Sequence, residues 1–86
     1  MEVIECEEVV LKWKQWCGDT PWSDCLKRFG DLGGKIIWYC GYPRSVSAIP
    51  LCFTLILPNK QEINGSRLKD IKLAIRLVES PGKGGK

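Results

Sequence analysis

Leu51-Cys52-Phe53-Thr54-Leu55-Ile56-Leu57, held between Pro50 and Pro58, is close to continuously apolar. Such a run suits a central strand covered on both faces. Upstream of it, Lys35-Ile36-Ile37-Trp38-Tyr39-Cys40-Gly41-Tyr42 extends from the Gly33-Gly34 break to Pro43. Its β-branched and aromatic side chains also predict a strand. The two segments, residues 35–42 and 51–57, are expected to form a small antiparallel sheet. The connection from Pro43 to Pro50, with Arg44, Ser45 and Ser47, reads as an exposed loop.

Towards the N-terminus the period of the apolar positions changes. Val3, Cys6, Val10, Trp13 and Cys17 recur at spacings of three and four, and Val9 and Trp16 widen the stripe. This is helical periodicity, and Gly18 is where the helix should end. Glu2, Glu5, Glu7 and Glu8 make its start acidic, which suits the positive end of a helix dipole. Thr20-Pro21 then supplies a cap residue followed by a proline at the first helical position. Trp22, Cys25, Leu26, Phe29 and Leu32 form one face of this second helix.

Towards the C-terminus, Asn64-Gly65-Ser66 is either a hairpin turn or a helix entrance capped by Ser66. The segment after it has two readings. As a helix, Leu68, Ile71, Ala74, Ile75 and Val78 share a face while Lys69, Lys72 and Arg76 line another; as a strand, Ile71, Leu73, Ile75 and Leu77 alternate with polar or small residues. Its length, the Ser66 cap and its good helix formers favour the helix. The expected architecture is therefore α+β in the order α-α-β-β-α. Residues 1–79 would form a single domain, and residues 80–86, which lack apolar side chains, a flexible basic tail.

Composition restricts the chemistry. The chain has 86 residues, thirteen Lys plus Arg against ten Asp plus Glu, a formal charge of +3 and no histidine. Without histidine the commonest general base and the commonest metal ligand are both missing, so hydrolase triads of the usual kind are excluded and no catalysis is expected. Cysteines 6, 17, 25, 40 and 52 contain no Cys-x-x-Cys pair, and a structural zinc site is not expected. They read as reduced thiols of an intracellular protein, in cytoplasm or nucleus, with Cys25 and Cys52 buried and Cys17 the most exposed. The apolar stretch from Ala48 to Leu57 is about half of what a membrane-spanning helix needs.

The short motifs carry less. Leu77-Val78-Glu79-Ser80-Pro81-Gly82-Lys83 resembles the strand-end signature of the Toprim domain of type I topoisomerases, which would make Glu79 a carboxylate in metal-assisted strand cleavage. The resemblance covers seven residues, and the second acidic motif of that domain has no counterpart here; a chance match is the competing reading. Asn64-Gly65-Ser66 is formally a glycosylation acceptor but reads as a turn, and Gly82-Lys83-Gly84-Gly85 lacks the spacing and following helix of a phosphate loop.

Two function classes follow. The first is a non-enzymatic nucleic-acid-binding domain, with Lys69, Lys72, Arg76, Lys83 and Lys86 tracking phosphates, Arg44 as a second anchor, and Trp13 or Trp16 stacking on bases. Against it stand a solvated helix face and a core filled by indoles. The second is a protein-interaction module, such as a small inhibitor or accessory protein of viral or phage type, using an exposed Trp and Cys patch or the acidic N-terminal helix. No cofactor is implied by either.

Overall fold

A computed structural model of the chain describes residues 2–43 and 49–79. Strand β1 (Ile4–Glu5) leads directly into helix α1 (Cys6–Cys17), followed by α2 (Pro21–Asp31), β2 (Lys35–Cys40), β3 (Cys52–Ile56), β4 (Glu62–Gly65) and α3 (Leu68–Glu79). The fold is α+β, as expected, with a sheet twice as wide as the sequence suggests. Its four strands lie in the order β1-β2-β3-β4, every pair antiparallel.

The local signals explain most of the helix ends. Gly18, at φ 75, ends α1, and its N–H donates to the Lys14 carbonyl. Thr20 caps α2 by accepting from the Ser23 N–H, with Pro21 at the first helical position. The ambiguous last segment is a helix. Its start is capped by a different residue from the one expected: the Asp70 carboxylate accepts from the backbone N–H groups of Ser66 and Arg67, both at 3.0 Å. A carboxylate three residues into the helix reaches back to the free N–H groups and also meets the dipole, which a serine hydroxyl cannot match. Asn64-Gly65-Ser66 is thus a helix entrance, with Asn64 and Gly65 closing β4.

The register of the sheet divides its side chains between two faces. Ile36, Leu55 and Ile63 are opposite one another, as are Trp38, Phe53 and Gly65. Of these, Ile36, Phe53 and Leu55 join Cys6, Val9, Val10 and Trp13 of α1, Leu26 and Phe29 of α2, and Ile71 and Ala74 of α3 in the core, and Trp38 and Ile63 pack against it. Helix α1 packs against α2, and α2 against α3. The other face carries Ile37, Tyr39, Cys52, Thr54, Ile56 and Asn64. Among the described residues, helices cover the central strand β3 on one face only, where the sequence predicts both. Thr54 is nevertheless 1% exposed. Its hydroxyl donates to Asn64 Oδ1 at 2.6 Å and lies 3.0 Å from the Tyr39 hydroxyl, so Tyr39 is the donor in that contact and a polar chain crosses β2, β3 and β4.

Cys6, 1% exposed at the junction of β1 and α1, gives the core a pH dependence. Burial pushes its thiol up from 9.0 to about 12, with Glu5 adding to the shift and Lys35 opposing it. A thiol that ionises at lower pH in the unfolded chain than in the fold releases its proton on unfolding, so stability falls as pH rises from about 9 towards 12. At about 1.4 kcal/mol per pKa unit the loss is about 4 kcal/mol over the full window. Urea midpoints measured along this range should fall more steeply for the parent than for Cys6→Ala. Parallel curves would show that the thiol ionises freely in the fold.

Candidate nucleic-acid interface

Helix α3 places its residues by simple periodicity. Ile71 and Ala74 are fully buried, Ile75 and Val78 pack against the core, and Lys69, Lys72 and Arg76 are exposed on the side turned away from it. Leu73 and Leu77, 45% and 37% exposed, flank this basic stripe. A span from residue 69 to 76 is two turns of helix, so the three cations lie along about 10 Å of one surface line.

Four cations elsewhere are matched by carboxylates, whereas Lys12 on α1 is exposed with no acidic partner among the described residues. Lys14 pairs with Asp19 at 3.5 Å, Lys27 with Asp31 at 3.5 Å and Lys35 with Glu5 at 2.7 Å. Arg28 of α2 grips Glu79 of α3 through both Nε and a terminal nitrogen. Among the described residues Lys69, Lys72 and Arg76 have no such partner. The acids closest to them in the chain are engaged, Asp70 with backbone N–H groups and Glu79 with Arg28. Arg67, at the entrance to α3, and Lys60, in the β3–β4 turn, are likewise exposed and unpaired among the described residues. Neither is among the contact residues named above; both belong to the seven positive residues from Lys60 to Lys86.

The aromatic candidates separate. Trp13 is completely buried, with its ring edge-on to Trp22 at 6.3 Å and Trp38 at 6.5 Å, so it cannot stack on a base. That corrects its assignment as a contact residue. Cys6, Val9, Val10 and Trp13 form the buried stripe of α1, and Trp13 is its last and largest member. Trp16, one turn on, is 59% exposed and stacked on Tyr42 with centroids 4.9 Å apart. Tyr42 in turn meets Trp38 edge-on at 4.9 Å, so an aromatic series leads from the core to the surface. Trp16 is on α1 and the basic stripe on α3, with α2 packed against each. Arg44, Lys83 and Lys86 lie outside the described residues.

Other chemistry finds little support. Glu79 ends a helix and is held by Arg28, whereas the Toprim signature places its glutamate at the end of a strand. Among the described residues no group of three His, Cys, Asp or Glu side chains comes together to hold a metal ion. A hollow of about 290 Å³ beside the start of α1 carries charges of both signs, with Lys27 and Asp31 on its wall already paired. No helix among the described residues is long and apolar enough to cross a membrane. Comparison with protein-family models, with curated proteins and with solved structures finds no match to this chain.

Proposed function

We propose that the protein is a small non-enzymatic nucleic-acid-binding domain that holds the sugar-phosphate backbone along α3. The observation that supports this reading is the set of unpaired cations Lys69, Lys72 and Arg76 on the outward side of α3, in a molecule whose Lys14, Lys27, Arg28 and Lys35 are matched to acids. Unpaired cations on a rigid helix release counterions from a polyphosphate without first breaking internal ion pairs. Arg76 can make a bidentate contact that a lysine cannot, and Arg67, exposed at the entrance to α3, adds a further cation off this line. Helix α3 carries no Asn or Gln that could read a base edge, so binding is expected to tolerate sequence. In this reading the protein works where nucleic acid is, in cytoplasm or nucleus.

Binding to labelled single- and double-stranded oligonucleotides, followed over a range of salt concentration, tests the proposal. With three phosphate contacts on a duplex, log affinity should fall against log salt with a slope of about −2.7. The double variant Lys72→Glu, Arg76→Glu removes two of these contacts and should bind more weakly, with a slope shallower by about two. Both residues face away from Ile71 and Ala74, so the circular dichroism of the variant should match the parent. A folded double variant with unchanged affinity would remove α3 as the interface. Failure of the parent to bind at low salt would favour the second reading, a protein partner docking on the exposed Trp16–Tyr42 stack, where an indole is held at the surface with one face open.

A further inference from the structure

Cys40 and Cys52 face each other across the sheet. They are direct partners in the antiparallel pairing of β2 with β3, just beyond the irregularity that shifts the register between Trp38 and Cys40. Antiparallel partners sit about 4.5–5.5 Å apart at Cα. A disulfide spans about 4.4–6.8 Å between Cα atoms, so this pair needs no backbone movement to be bridged. Cys40 Sγ approaches the Pro50 carbonyl at 3.4 Å, and by register it lies on the same side of the pair as Cys52. Both cysteines are free and partly exposed. That exposure corrects the expectation that Cys52 is buried; Cys25 is also partly exposed.

The remaining cysteines are placed differently. Cys6 is buried, with its thiol directed to the Gly34 carbonyl, and Cys17 donates to the Pro43 carbonyl at 2.7 Å. Cys25 sits on α2. The strand pair alone sets two partly exposed thiols against each other in a geometry that a disulfide can adopt.

We propose that Cys40 and Cys52 are a reversible oxidation site, a dithiol that a low-molecular-weight disulfide such as oxidised glutathione converts into a cross-strand disulfide. One thiol, as its thiolate, attacks a glutathione sulfur; the glutathione S–S bond breaks, a mixed disulfide forms and one reduced glutathione leaves. The second cysteine then attacks the protein sulfur of that mixed disulfide and expels the other glutathione. Two protein thiols are oxidised, one glutathione disulfide is reduced to two thiols, and the two protons lost by the cysteines end on the departing glutathiones. Burial, and contact with Cys52, push the Cys40 thiol up from its ordinary value. Thiolate is therefore scarce at neutral pH, and the reaction should accelerate as pH rises.

The test is treatment of the native full chain with oxidised glutathione, followed by intact mass and peptide mapping without reduction. The expected product has lost two hydrogens, links Cys40 to Cys52 and is restored by reduced glutathione. In Cys52→Ser the exchange should stop at a stable glutathione adduct on Cys40, and in Cys40→Ser at an adduct on Cys52. Circular dichroism of both variants before oxidation establishes that they are folded. Stable glutathione adducts on the parent at Cys40 or Cys52, or links from either to Cys17 or Cys25, would overturn the proposal.

Discussion

Trp13→Ala is expected to lower the stability of the protein by about 3–5 kcal/mol. Trp13 is fully buried and its ring is surrounded by Trp22, Trp38 and Phe53. Truncating a buried Phe or Trp to Ala costs about 3–5 kcal/mol, because the lost transfer energy is joined by the cavity that remains. A chain of 86 residues has a total stability of about 4–13 kcal/mol at typical values per residue. The substitution therefore removes a large part of it, or all. The Trp13 indole N–H has no hydrogen-bond partner among the described residues, so Trp13→Phe, which also removes that donor, should be milder than Trp13→Ala. The exposed Trp16 is the control, since its stack on Tyr42 is worth only about 0.5–1.5 kcal/mol. Urea denaturation followed by circular dichroism ranks the variants, and equal midpoints for Trp13→Ala and Trp16→Ala would contradict the burial that separates them.

Gly41→Ala should be the most damaging change of a small residue. Gly41 follows β2 at φ 79, and a Cβ there would sit 2.5 Å from the Pro50 carbonyl oxygen and 2.7 Å from both the amide nitrogen and Cα of Leu51. These are backbone atoms, which cannot rotate away as a side chain would. The left-handed conformation costs a residue with Cβ about 1–2 kcal/mol, and the displacement needed to relieve the clash about 1–3 kcal/mol more. The carbonyl of Gly41 also accepts from the Trp38 indole at 2.8 Å, so movement there disturbs the aromatic series. Gly18→Ala isolates the first component, because Gly18 has φ 75 and open space where its Cβ would be. A urea midpoint for Gly41→Ala no lower than that of Gly18→Ala would show that the two chain segments are not in contact.

Much of the helical part of the fold was legible residue by residue. Thr20-Pro21, Gly18 and the spacing of three and four in the last segment act over less than two turns, and a helix closes its hydrogen bonds within itself. Strands do not. Ile4-Glu5 is too short to carry a period, and Glu62-Ile63-Asn64-Gly65 has a single large apolar residue, so neither announces a strand. Each exists because β2 or β3 offers it unpaired backbone N–H and C=O groups. The start of α3 was misassigned for a related reason: Ser66 and Asp70 are both capping residues, and only the path of the entering chain decides which one reaches the free N–H groups.

The candidate sites divide along the same line. Periodicity alone places Lys69, Lys72 and Arg76 opposite Ile71 and Ala74, since one helix face determines the other. It cannot say that these three stay unpaired, because pairing joins residues as distant in the chain as Arg28 and Glu79. Nor can it separate Trp13 from Trp16, neighbours on one apolar stripe, until the sheet covers the first and leaves the second beside Tyr42. The opposition of Cys40 and Cys52 depends on strand register, which the Trp38–Cys40 irregularity resets. What the chain by itself determined was therefore helix ends, apolar faces and the outward side of α3, all governed by short-range geometry. The tertiary structure decided sheet width, which indole is buried, which charges are neutralised and which thiols meet, because each of these depends on contacts whose partners are set by packing rather than by spacing.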